Sequence, residues 1–312
     1  MAKTELTLVL PGLARIVDQQ INASVIPQAL SNILNKARFM RDPTGLHRLL
    51  FNHFSETPLT EPDLPVVSLN SPEQVAIKVD PCYVHADRDR LLLFADNLNL
   101  TEAESTTLIA EIQPLVDELG GHIQLLEADS WLLILDTLPD ITFSALPEVN
   151  GKGVETFLPT GSDRGNWIRL WNEIQMQLYD CDVNLQRIAD GKLPVNSVWF
   201  WGMGNYTAKQ NEWISVRGNL PLLNQLTTQS ATALNNDAGD LKAPLNTGKH
   251  LWVADEVDIE ADWQQQLQNL NDTLFQPLWQ QVRSAKISQL NLKIPEHGHY
   301  RLSPLSSWKF WS

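Results

Sequence analysis

Two apolar patterns alternate along the chain. Short, nearly continuous apolar runs predict buried strands at residues 5–10, 195–201, 250–254 and 287–292; the first stops at Pro11-Gly12 and the second at Gly202-Met203-Gly204. Between them, apolar residues recur three and four apart, as on one face of a helix. Leu30, Ile33, Leu34 and Ala37 do so over residues 27–39, with Pro27 suited to a first turn. Trp167, Leu170, Trp171, Ile174 and Leu178 form a second stripe, with Ser162 or Asp163 as its cap. Trp263, Leu267, Leu270, Leu274 and Leu278 form a third. Strands alternating with helices predict an α/β protein with a mainly parallel, helix-covered sheet.

The stretch from 55 to 149 reads differently. Residues 55–72 are rich in proline and polar side chains, which predicts a linker. Strands are expected at 75–79 and 90–94. Thr101-Glu102-Ala103-Glu104 then has the form of a capping box opening a helix with Leu108, Ile112 and Leu115 on one face. Gly120-Gly121 ends it, and strands follow at 122–126 and 131–135. This order predicts a small α+β domain over 69–149, inserted into a core domain made of 1–68 and 150–312. Residues 227–248, rich in Thr, Asn, Ala and Asp, predict a loop.

Charge narrows the partners. The chain has 312 residues and a formal net charge of −14, which repels a phosphate backbone, and no Lys/Arg run offsets it. Nucleic acid is therefore not an expected partner, whereas a few local arginines can still hold a small anion. Eleven tryptophans suit either core packing or a stacking platform. Cys82 and Cys181 lack metal-ligand spacing and are expected as reduced thiols. No stretch approaches the ~20 apolar residues of a membrane span, so no membrane partner and a cytoplasmic location are expected.

One segment carries a family resemblance. Asn172-Glu173-Ile174, then residues 181–204 with Asn184, Arg187, Gly191, Asn196, Gly202 and Gly204 in order, resemble archaeal-type cofactor-independent phosphoglycerate mutases. Cys181-Asp182 stand where that family has His-Pro. A likeness spread over more of the chain is to bacterial RpfE-type regulatory proteins, through Leu8-Val9-Leu10-Pro11-Gly12-Leu13, residues 80–89 and residues 172–176. The resemblance implies an alkaline-phosphatase-like core and, in an active member, phosphoryl transfer through a Ser or Thr between two divalent metals. It also implies Asp and His ligands after three strands. Here those places read Pro11-Gly12, Asp255-Glu256 without the following His, and Ile294-Pro295-Glu296 with His297 and His299 beyond.

No cofactor is therefore expected; Mn or Zn would be needed only by an active enzyme. Glu296, His297 and His299 are either a surface loop or a replacement metal pair. Residues 85–90 are either a solvated turn or a ligand or partner contact. Asn184, Arg187, Asn196, Gly202 and Gly204 are the candidate ligand-binding residues, for a phosphorylated or carboxylate small molecule. For Asn184 and Arg187, capping and packing is the competing role; for the two glycines, a tight turn. Three functions follow: a mutase-like regulatory or ligand-binding protein without metal chemistry, an active metal-dependent mutase or phosphatase, and an interaction scaffold using the Trp308–Trp311 tail.

Overall fold

The computed structural model describes residues 3–18, 26–70, 75–235, 241 and 244–308. The chain divides into two compact units, Met1–Pro58 with Thr207–Ser312, and Leu59–Tyr206. Elements are numbered along the whole chain.

The first unit is built on a seven-stranded sheet, ordered β2-β12-β11-β1-β10-β8-β9. Its strands are β1 (Thr4–Val9), β2 (Arg38–Arg41), β8 (Ser215–Arg217), β9 (Leu234–Asn235), β10 (Gly248–Val253), β11 (Gln289–Ile294) and β12 (Gly298–Leu302). From β11 to β9 all neighbours run parallel; β12 is antiparallel to both β11 and β2. The sheet is thus mainly parallel, as the alternating pattern predicts. Its helices are α1 (Ala14–Asp18), α2 (Gln28–Lys36), α3 (Leu46–Phe54), α9 (Pro221–Gln229), α10 (Trp263–Leu270), α11 (Gln276–Arg283) and α12 (Pro304–Ser307). A π-helical turn at Asn271–Phe275 joins α10 to α11, so the predicted third stripe is one long helical run.

Strand alternation divides the sheet chemically. Leu6, Leu8, Leu290, Leu292, Trp252 and Leu302 join one core with Leu30, Ile33, Leu267, Leu278 and Val282 of the helices. Glu5, Thr7, Lys249, Gln289, Asn291 and Lys293 occupy alternate positions with Val9, Leu251 and Val253, so the other face is polar toward the strands' amino ends and along β11.

The second unit is an antiparallel α+β assembly. Strand β3 (Ala76–Asp87) pairs along its length with β6 (Ser130–Ile134), β7 (Ser197–Trp201) and β4 (Arg90–Phe94), while β5 (His122–Glu127) pairs with β6. Its helices are α4 (Val66–Asn70), α5 (Glu102–Asp117), α6 (Leu146–Val149), α7 (Arg164–Leu178) and α8 (Asp182–Ala189). The predicted capping box is present at Thr101 and Glu104.

Three expectations need correction. The insert boundary at 149 falls too early. Residues 150–206 belong to the second unit, because β7 hydrogen-bonds to β3 from Lys78↔Trp201 to Cys82↔Ser197. The predicted loop at 227–248 begins within α9 and contains β9, with 236–240, 242 and 243 outside the described residues. The segment at 296–299 is not a surface loop before a tail: Glu296, at φ 65°, turns β11 back into β12. Both cysteines are buried and free. Among the described residues, no helix is long and apolar enough to cross a membrane.

Candidate functional site

Parallel sheets bind ligands beyond the carboxyl ends of their strands. Here β10, β1 and β11 lie side by side, and their ends bring together the three places where the resemblance implies metal ligands. Leu10 N donates to Lys293 O at 2.9 Å, Ala254 N to Val9 O at 3.0 Å and Val257 N to Pro11 O at 3.2 Å. The approach is close enough to require Gly12, at φ 79°, since a Cβ there would run into the Val257 carbonyl.

The donors at this edge do not fit a two-metal centre. Proline supplies no side-chain ligand at 11. Asp255 and Glu256 are exposed. His297 is buried with both ring nitrogens engaged, Nδ1 with Asp18 Oδ1 and Nε2 with the Tyr300 hydroxyl, each at 2.8 Å. His299 lies on β12 in register with Lys293, and burial and that ammonium lower its pKa. Among the described residues, no three His, Cys, Asp or Glu side chains converge as a ligand group.

The sequence-predicted ligand residues all lie in the second unit, Asn184, Arg187 and Asn196 before β7 and Gly202 and Gly204 beyond its far end, and their polar groups meet the protein's own. Asn184, fully buried, donates Nδ2 to Leu178 O at 2.7 Å and Val195 O at 2.8 Å, and its Oδ1 accepts from Val195 N at 2.7 Å. Asn196 makes the same two-way clasp on the Val84 backbone, at 2.7 and 2.9 Å. Arg187 is 1% exposed. Its Nε donates to Leu193 O and Nη1 to Glu104 Oε1, each at 2.9 Å, and Nη2 to Leu98 O. Burial works against the Glu104 charge, yet Thr101 and Arg187 together hold its carboxyl below the ordinary value. Gly202 N donates to Asp63 Oδ1 at 2.9 Å and Met203 N to Asp63 Oδ2 at 2.8 Å. Gly202 and Gly204 have φ of 92° and 126°, so both turn the chain out of β7. Each guanidinium nitrogen of Arg187 thus donates to an oxygen of the protein itself, as the capping and packing role requires.

A cavity of about 190 Å³ on the polar face of the first unit has the opposite character. Glu5 and Thr7 of β1, Lys249 of β10 and Asn291 of β11 line it with His53 of α3 and Trp213. Strand register sets Glu5 beside Lys249 and Thr7 beside Asn291. Lys249 also pairs with Glu212, whose other oxygen meets Lys209 at 3.1 Å. His53 Nε2 is buried without a hydrogen-bond partner, though part of the residue is accessible. Burial lowers its pKa to about 3, so the imidazole is neutral at pH 7. A buried ring nitrogen without a partner beside a polar cavity is an atypical arrangement that calls for an explanation. Its sequence signal is faint: Glu5, Thr7, Asn291 and Lys293 alternate with leucines, but alternation alone also describes a solvent-facing strand.

The tryptophans follow the packing alternative: Trp131, Trp167, Trp171, Trp199, Trp201 and Trp252 are buried. Trp308 is half-exposed beneath the Arg283 guanidinium, and residues 309–312 of the candidate docking tail lie outside the described residues. Within residues 85–90, Asp87 pairs with Arg90 in the β3–β4 ladder, and Arg88, at φ 55°, turns the hairpin between them.

Comparison with known proteins gives a local likeness. The chain is 38% identical over 58 residues to the 2,3-bisphosphoglycerate-independent phosphoglycerate mutase of Methanosarcina barkeri, covering 19% of this chain and 15% of that enzyme. The corresponding enzyme of Methanosarcina mazei is 32% identical over 71 residues, 23% of this chain and 18% of that one. The match thus spans less than a fifth of either relative. No family model matches. Among solved structures, a cofactor-independent phosphoglycerate mutase from Thermoplasma acidophilum aligns with 97% of this chain and 90% of its own, at TM-score 0.43 and 14% identity. The PH0037 protein of Pyrococcus horikoshii aligns with 96% and 87%, at 0.46 and 9%. The relation to phosphoglycerate mutases accordingly rests on the shared sequence segment.

Proposed function

We propose that this chain is a mutase-related protein that has given up metal-dependent phosphoryl transfer and works by binding a small polar molecule. One observation carries the reading: the strand ends that would supply the metals' ligands carry a proline, two exposed acids and a histidine already held by Asp18 and Tyr300. An alkaline-phosphatase-like origin accounts for the parallel sheet and for the convergence of those strand ends. The polar cavity beside His53 is the binding place best supplied with unsatisfied hydrogen-bonding capacity. A regulatory role accords with the resemblance to RpfE-type proteins.

The test is metal analysis of the purified chain together with a phosphoglycerate mutase assay in added Mn²⁺, with and without chelator. Metal well below one equivalent and turnover at background are expected. Near-stoichiometric metal with chelator-sensitive interconversion of phosphoglycerates would restore the active-enzyme reading.

A further inference from the structure

Two arginines face each other across the outer strands of the first unit's sheet. Arg38, opening β2, lies in register with Arg301 of β12. Side chains so paired leave one face of the sheet with Cβ atoms about 5 Å apart, and like charges in that position repel. No carboxylate among the described residues neutralises either. Arg38 makes no hydrogen bond or ion pair there, and Arg301 donates Nη2 only to the Gln289 amide oxygen, at 2.7 Å. Both arginines line a groove of about 390 Å³, together with Asn35, Lys36, Ser303 and Ser306. Three lining residues are cations and none is an acid, in a chain with 37 acidic and 23 basic residues. Charge on an outermost strand discourages edge-to-edge association. That accounts for Arg38 alone, because β12 is paired on both sides.

We propose that this groove is an oxyanion site that takes the phosphate group of a small phosphorylated molecule. The dianion lies between Arg38 and Arg301, whose planar forks suit its oxygens, and offsets their repulsion. The groove's volume falls in the ~300–1,000 Å³ range of small-molecule clefts, leaving room for an organic remainder. The paired arginines lie toward the amino end of β11, since Arg301 pairs with Asn291 while Gly298 pairs with Ile294. They are therefore at the other end of that strand from Pro295-Glu296, and the inference stands or falls independently of the mutase assay.

Calorimetric titration of the full chain at constant ionic strength tests it, using inorganic phosphate, glycerol 3-phosphate and a chloride control. Saturable binding of both phosphates is expected, tighter for glycerol 3-phosphate, with at least a tenfold loss in Arg38→Gln and in Arg301→Gln. Arg38→Glu should abolish binding and raise the phosphate-free Tm, because it converts a repelling pair into an attracting one. Wild-type heats no larger than chloride, or undiminished affinity in Arg38→Gln, would overturn the proposal. A lowered Tm in Arg38→Glu would remove the repulsion on which it rests. Equal affinity for the two phosphates would overturn its organic part.

Discussion

The Arg187 cluster and the His53 cavity contain similar side chains and treat them oppositely. In the second unit, Asn184 and Arg187 are buried with their polar groups turned onto backbone carbonyls and Glu104. In the first, His53 keeps a buried nitrogen without a partner, beside a cavity lined by Glu5, Thr7 and Asn291. Satisfied polar groups hold architecture together; an unsatisfied one is kept at a cost and is where an outside molecule adds most. A motif match therefore does not locate a ligand. The residues that carry the resemblance, Asn184, Arg187 and Asn196, have their polar groups satisfied internally.

Substitution should separate the two clusters sharply. Arg187→Met removes the donor of the Leu98 and Leu193 carbonyls and one of the partners of Glu104, and about 3–5 kcal/mol should be lost in urea denaturation. A loss under about 1 kcal/mol would show that these hydrogen bonds do not hold the fold together. Asn184→Ala removes three hydrogen bonds at a fully buried position, so about 2 kcal/mol or more is expected by the same measurement. His53→Gln removes no internal side-chain hydrogen bond and should change stability at pH 7 by less than about 1 kcal/mol.

The pH response sharpens the contrast. His53 has a folded pKa of about 3 against an ordinary 6.5. Between those values the unfolded chain binds a proton that the folded chain refuses, so stability is full above 6.5 and declines as pH falls toward 3. Glu104 is displaced downward from 4.5, so its contribution is present above 4.5 and is lost only as pH falls below it. Denaturation at pH 7, 6 and 5 should therefore show a decline that His53→Gln reduces and Glu104→Gln does not.

Much of this architecture was legible in the chain. The apolar runs mark β1, β7, β10 and β11, and the three-and-four spacing marks α2, α7 and the α10–α11 run. The Asn184–Arg187 interval correctly suggests a shared helix and a polar task. The task itself is decided by Glu104, 83 positions away, and local spacing holds no record of such a partner. Strand β2 escapes detection because all four residues of Arg38–Arg41 are exposed, leaving no alternation to read. The second unit's extent is hidden for a related reason: β7 is as apolar as a central parallel strand, and only pairing reveals it as the antiparallel neighbour of β3. The scarcity of ligand side chains at the strand ends was visible because ligand chemistry depends on residue type, and proline has no side-chain donor wherever it lies.

The position of β1 also bears on the order in which the protein forms. It is synthesised well before its two neighbours, β10 and β11, against which Thr4 pairs with Gly248 and Glu5 with Gln289. The second unit, drawn from one continuous stretch, has all its strand partners available long before then. Its folding can be complete while Leu6, Leu8 and Leu10 still wait unpaired. Long-range pairing of this kind is slow and exposes apolar strand to association. Chains truncated between residues 207 and 248 are therefore expected to contain a folded second unit and an unpaired, sticky β1, which chaperone capture of stalled nascent chains would detect.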